Sequence, residues 1–138
     1  MPAEKLLEAA ARFHGHLGPW LALGLKAGLL ARRRLKASSF NLVANVYCPT
    51  RTPYTCFVDG VQFGSGCTYG KGSIFLFKGT GCRAVFVRTS PSAAKLELTV
   101  RHEVWDDLHR DLPAAEPRVR ALARAIYRRP VPSLFTIG

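Results

Sequence analysis

The sequence predicts an α+β domain in which N-terminal helices pack on an antiparallel sheet and an amphipathic helix closes the chain. Three observations carry that prediction. Apolar residues recur at helical spacing through the first 36 residues, alternate at strand spacing in segments between 40 and 101, and return to helical spacing from Glu116 to Arg129. With 138 residues, 48% hydrophobic and 21% charged, the chain is long enough for one domain spanning 1–138 with its own core. Its composition is neither disordered nor fibrous.

In AEKLLEAAARF (3–13), Leu6, Leu7, Ala10 and Phe13 share a face and Glu4 sits where a helix start favours negative charge; Gly15 should end this helix. A second helix begins with Pro19 in its first turn and runs to about Lys36, with Arg32 to Arg34 at the negative end of its dipole. Gly24 and Gly28 lie one turn apart on it and permit close approach of another backbone. Because almost every position before Arg32 except Lys26 is apolar, this helix is expected to be buried on most sides, within the domain or against a second subunit.

FNLVANVY (40–47) alternates as a strand, followed by GSIFLFK (72–78), CRAVFVR (82–88) and KLELTVR (95–101). In the last, Leu96, Leu98 and Val100 face one way. KGTGC offers the glycines for a hairpin turn between two of these strands, and TSPSAA a longer connection. Between the first strand and the rest, Thr52 and Pro53 form a helix start, predicting a short helix to about Phe63. EPRVRALARAIYRR places Val119, Leu122, Ala123 and Ile126 on one side, the closing amphipathic helix.

Several function classes are set aside by composition. Glu4, Lys5 and Glu8 precede any apolar run, the wrong order for a secretory signal, so a cytoplasmic location is expected. The most apolar stretch, LGPWLALGLKAGLLA, is shorter than the roughly 20 residues of a membrane span and is interrupted by Lys26. Cys48, Cys56, Cys67 and Cys82 lack the two-residue gap of a zinc ribbon or thioredoxin site. In a reducing compartment such thiols serve as metal ligands, nucleophiles or small buried hydrophobes. Whether Cys48 and Cys82, which flank strands, form a disulfide is left open. Few Asn and Gln (Asn41, Asn45, Gln62) beside many Arg fit a hot environment.

The net charge of +11 raises a second function class, a basic binding module for nucleic acid or an acidic protein partner. The charge clusters in ARRRLK (31–36) and between Arg118 and Arg129, without the interleaved aromatics on which single-strand binders stack bases. That distribution disfavours nucleic acid and is equally that of a solvated basic face.

Three segments carry candidate chemistry. His14 and His16 point about 200° apart if helical, so they could share one metal only on looped backbone, which Gly15 and Gly18 favour. Cys56, Asp59 and Gln62 recur every three residues on one helix face, with Cys56 in the first turns, where the dipole favours thiolate. Such a thiolate binds metal or attacks an electrophile; the competing account is a small buried hydrophobe. GSGCTYGKG brings Cys67, Thr68 and Lys71 together, yet it has one residue too few for a phosphate-binding P-loop and joins a helix to a strand. It reads either as an anion nest beside Lys71 or as a tight turn with a solvated lysine. His102 and His109, near carboxylates in RHEVWDDLHR, read as ordinary surface or packing residues.

Taken in order, FHGHLGPWLALGLKAG, CFVDGVQFGSGCTYGKGSI and the closing PSLFTIG resemble the FmdE family, named for formylmethanofuran dehydrogenase, over nearly the whole chain. The family's Phe-His-Gly-His motif falls on Phe13 to His16. Its Cys, Asp and Gln at three-residue steps fall on Cys56, Asp59 and Gln62, and its Gly-Cys-Thr and Gly-Lys-Gly on Gly66 to Thr68 and Gly70 to Gly72. The resemblance implies an α+β core, commonly a homodimer, with a metal site usually taken as zinc, or another divalent transition metal, drawn from His14, His16, Cys56 and Cys67.

It further implies a stand-alone relative, or an accessory subunit, of the molybdenum or tungsten enzyme that fixes carbon dioxide as formylmethanofuran, and so a larger oxidoreductase complex as partner. Cys56 and Asp59 are then the candidate catalytic residues, and Gln62, Thr68 and Lys71 the candidates to position an oxygen-rich or small anionic ligand. Two departures stand out. Many members carry Cys-Pro-Gly where this chain has Gly18, Pro19 and Trp20, and some continue into a zinc ribbon whose paired cysteines have no counterpart in these residues.

Overall fold

Alternation along the strands sets one face of the sheet as the inner one. Leu42, Ala44, Val46 and Cys48 are buried, and across the ladder Ala84 and Phe86, then Leu96, Leu98 and Val100, are buried in register with them. The computed structural model describes residues 3–138. Its elements are α1 (Ala3–His14), α2 (Pro19–Leu35), β1 (Leu42–Cys48), α3 (Cys56–Ser65), β2 (Ile74–Lys78), β3 (Arg83–Arg88), β4 (Ala94–Val100), α4 (His102–Asp111), α5 (Glu116–Arg128), α6 (Val131–Leu134) and β5 (Phe135–Ile137). The α+β class and the closing amphipathic helix are as the sequence predicts.

The sheet is mixed, in the order β2-β1-β3-β4-β5, and here the expected antiparallel meander is corrected. β2 runs parallel to β1, pairing Ala44 with Ile74 and Cys48 with Lys78, while the other neighbours are antiparallel. The reason is α3, a crossover helix between two adjacent strands, and parallel neighbours require such a crossover. KGTGC is therefore no hairpin turn, because β1 lies between β2 and β3. β5 and α4 have no counterpart among the elements that the sequence predicts.

Two helix boundaries follow local chemistry. Gly15, at φ +99°, ends α1 with its N–H on the Ala11 carbonyl at 2.7 Å. α2 starts with Pro19 after an extended Gly18, as expected. α3 starts later than predicted: Thr52 does not cap it, and Pro53 to Thr55 form a turn that leaves Cys56 as its first residue.

α2 and α3 approach along a seam of four glycines. A methyl group at Gly24 would overlap the Phe57 carbonyl, one at Gly60 the Leu21 carbonyl, and one at Gly28 would stand 2.6 Å from the Ser65 nitrogen. With no side chain between them the two backbones touch, which fixes the start of α3 beside the start of α2. Lys26, the polar interruption of α2, donates from Nζ to the carbonyls of Tyr127, at 2.8 Å, and Arg129, at 2.5 Å, and so holds the last turn of α5.

Candidate functional site

Because α1 ends at His14 and α2 begins at Pro19, His14 and His16 stand on a tight loop at the mouth of the glycine seam, where α3 delivers Cys56 and Asp59. His14 Nδ1 lies 2.6 Å from Asp59 Oδ2. A carboxylate only accepts, so Nδ1 carries a proton, and in the neutral imidazole Nε2 keeps its lone pair. Gln62 Nε2 donates to Asp59 Oδ1 at 3.2 Å and its Oε1 accepts from the Tyr69 N–H at 3.0 Å, which ties the carboxylate to the loop after α3. His16 Nε2 turns instead to Glu116 Oε1 at 2.7 Å, joining the loop to the start of α5.

A cavity of about 390 Å3 opens beside these groups, its walls formed by His14, His16 and Cys56 with Trp20, Tyr54 and His109. The remaining walls are apolar, from Pro19 and Leu21 on α2 and from Leu108, Leu112 and Val119 around the α4–α5 connection. That volume suits a small organic ligand. No lysine or arginine is among the lining residues.

Cys56 is half-buried, and burial first, then the charge of Asp59, pushes its thiol up from the ordinary cysteine value. The backbone N–H at the helix start pulls the other way and loses. Burial and Asp59 therefore outweigh the helix start at Cys56, against the expected preference for thiolate.

The structure brings His14, His16, Cys56 and Asp59 together, with Gln62 hydrogen-bonded to Asp59, and leaves Cys67, Thr68 and Lys71 elsewhere. Cys67 is fully buried past the far end of α3, about 15 Å from Cys56 at the helical rise, with its thiol on the Leu42 carbonyl at 3.3 Å. Thr68 accepts the Lys71 N–H at 3.3 Å, and Lys71 Nζ donates to the Gly66 carbonyl at the end of α3. The glycine-rich segment is therefore a turn whose lysine caps a helix, and Gln62, Thr68 and Lys71 lie outside the cavity lining. Among the described residues, no three His, Cys, Asp or Glu side chains stand close enough to share one metal ion.

Sequence reasoning missed the aromatic wall. Trp105 stacks on Tyr54 with ring centroids 5.2 Å apart, and Trp20 meets both edge-on. His109, read as ordinary packing, donates from Nδ1 to the Trp105 carbonyl at 2.7 Å; its Nε2, 2.7 Å from the Tyr54 hydroxyl, then accepts from it in the neutral imidazole. The signal that would have found it is Val104, Trp105, Leu108 and His109 at helical spacing in RHEVWDDLHR. The Trp20 indole N–H is buried without a protein acceptor.

The sequence model of the family described as "FmdE, Molybdenum formylmethanofuran dehydrogenase operon" matches residues 13–136. The chain belongs to the FmdE family. Both site loops and the aromatic wall therefore fall inside the FmdE domain. The chain is also 34% identical over 77 residues to a protein of Archaeoglobus fulgidus named "Probable S-adenosyl-L-methionine-binding protein". That match takes in 51% of this chain and 20% of the relative, so this FmdE chain aligns with only a fifth of that protein's length. No helix among the described residues is long and apolar enough to cross a membrane.

Proposed function

We propose that the cavity is a small-molecule site where His14 and Cys56 hold a divalent transition metal, zinc by its ligand chemistry, and that the chain serves a formylmethanofuran dehydrogenase-type system, alone or as an accessory subunit. The observation that carries this reading is the His14–Asp59 pair. A carboxylate that fixes one imidazole nitrogen and frees the other is the usual support of a metal-ligating histidine. Imidazole and thiolate together suit zinc, and His16 becomes a third donor if it exchanges Glu116 for the ion. Cys67 has no part in this set.

Bound there, zinc would supply Lewis acidity to an oxygen or sulfur of the ligand. The chain's own groups do the rest. Asp59 keeps the His14 proton on Nδ1, and the Tyr54 hydroxyl holds a proton backed by His109. The apolar wall excludes water from the ligand's body. With no cation in the lining, an uncharged or weakly polar ligand fits better than a strongly anionic one.

The test is metal analysis of protein purified without a histidine tag. Zinc near one equivalent, lost in both His14→Ala and Cys56→Ala, supports the reading. A metal-free preparation whose thermal stability does not respond to added zinc overturns it.

A second reading is favoured by the walls of Trp20 and Tyr54 together with the name of the Archaeoglobus fulgidus relative: S-adenosyl-L-methionine, whose sulfonium would be drawn to aromatic faces. Calorimetry separates it from the first. Binding of S-adenosyl-L-methionine well above that of its uncharged thioether product, in metal-free protein, supports it, and equal or absent binding rejects it.

A further inference from the structure

Cys48 and Cys82 lie outside the cavity lining, buried at one end of the sheet. Antiparallel register brings them together. β1 and β3 pair Val46 with Ala84 and Tyr47 with Arg83, so one step further along the same ladder Cys48 stands opposite Cys82. Alternation puts both side chains on the inner face with Val46 and Ala84, and all four residues are buried.

Main-chain bonds fix how close the two lie. The Cys48 carbonyl accepts from the Gly79 N–H at 3.0 Å, and the Cys82 carbonyl from the Val100 N–H at 2.9 Å. The polar groups of Cys48 therefore turn to the β2 side and those of Cys82 to β4, so the two residues share no ladder bond. Opposed residues of that kind stand about 4.5 Å apart at Cα, inside the roughly 4.4–6.8 Å that a disulfide spans. The thiols also interact. A hydrogen bond from Cys82 pulls the Cys48 thiol below the ordinary cysteine value, against the burial that raises it, and the same bond, then burial, pushes Cys82 up.

We propose that Cys48 and Cys82 form a reversible disulfide across β1 and β3, made and broken by exchange with low-molecular-weight disulfides and thiols. The Cys48 thiolate attacks one sulfur of the oxidant and expels its first thiol, leaving a mixed disulfide. Cys82, losing its proton, then attacks the Cys48 sulfur and expels the second. Two protein thiols are oxidised to one disulfide, one reagent disulfide is reduced to two thiols, and the protons lost by the cysteines end on the released thiols. Both cysteines are buried, so exchange waits on local opening at the strand ends and is slower than at half-buried Cys56. A separation at the short end of the disulfide range makes the bond easier to reduce than a relaxed structural one. The bond encloses everything from Pro49 to Gly81, including α3 with Cys56 and Asp59, so oxidation ties the crossover that carries the site to β3.

The test is oxidation of the native chain with oxidised glutathione, followed by alkylation, trypsin digestion and mass spectrometry. Fragment 37–51 should be joined to fragment 79–83, and dithiothreitol should separate them. In Cys56→Ala, which removes the accessible thiol, the same link should form and leave Cys67 as the one thiol that alkylates after denaturation. The urea midpoint of the oxidised protein should lie above that of the reduced protein, and Cys82→Ala should lose both the linked fragment and this shift. Cys48 and Cys82 both still free after prolonged oxidation, a link that engages Cys56 or Cys67 instead, or an oxidised protein with an unchanged urea midpoint overturns the proposal.

Discussion

His14 and Asp59, 45 positions apart in sequence, meet with Nδ1 and Oδ2 2.6 Å apart. The pair is possible only because α1 stops at His14 while α3 starts three residues before Asp59. Asp59→Asn keeps the shape but removes the charge that fixes the imidazole. Zinc affinity, read by competition with a chelating dye, is expected to fall about 10- to 100-fold with the fold unchanged.

The Cys56 thiol should be the one that reagents find first, since Cys48, Cys67 and Cys82 are buried. Burial and Asp59 raise its titration, so alkylation at pH 8 should be slower than that of an ordinary free thiol and should gain rate as pH rises further. Asp59→Asn removes the smaller of the two causes that disfavour thiolate, so its alkylation at the same pH should be faster. Mass spectrometry of the labelled peptide reads both effects.

Gly24→Ala forces a methyl group into the Phe57 carbonyl. The helices must separate, at a cost of about 1–3 kcal/mol or more, measurable by urea denaturation. Because the same seam sets the distance between the histidine loop and Cys56, zinc or ligand affinity should fall along with stability.

Lys26→Met should leave the carbonyls of Tyr127 and Arg129 without their donor, a loss of about 1–3 kcal/mol. Burial, and to a lesser degree Arg33, lowers the Lys26 titration, so the unfolded chain holds this proton more firmly than the folded one. The sign follows: from this group alone, stability rises with pH in the alkaline window between the lowered value and 10.5, and Lys26→Met should flatten that rise.

Much of this was legible in the sequence, for stated reasons. Helical periodicity located α1, α2 and α5, and alternation located four of the five strands, because burial on one face leaves those periods in the residues themselves. Gly24 and Gly28 announced a close approach, although their partners Gly60 and Gly64 did not declare themselves. The parallel pairing of β2 was the harder step: strand order depends on which neighbour a crossover helix selects, and periodicity within a strand carries no record of that. In the site, motif spacing marked His14, Cys56 and Asp59. Cys67 and Lys71 sat close by in sequence, yet α3 carries them to its far end. α4 was hidden by its polar composition, with only Val104 and Leu108 buried, and with it went the aromatic wall.

The glycine seam has one consequence for how the cavity meets a ligand. Where two helices are spaced by side chains, rotamer changes let them breathe. Here backbone rests on backbone, so the gap between the histidine loop and Cys56 is set by the contact of two main chains that have no rotamers to change. Such a site is preorganised: little ordering entropy remains to be lost on binding, and relatives with different ligands would be expected to vary the α4–α5 wall while leaving the seam alone.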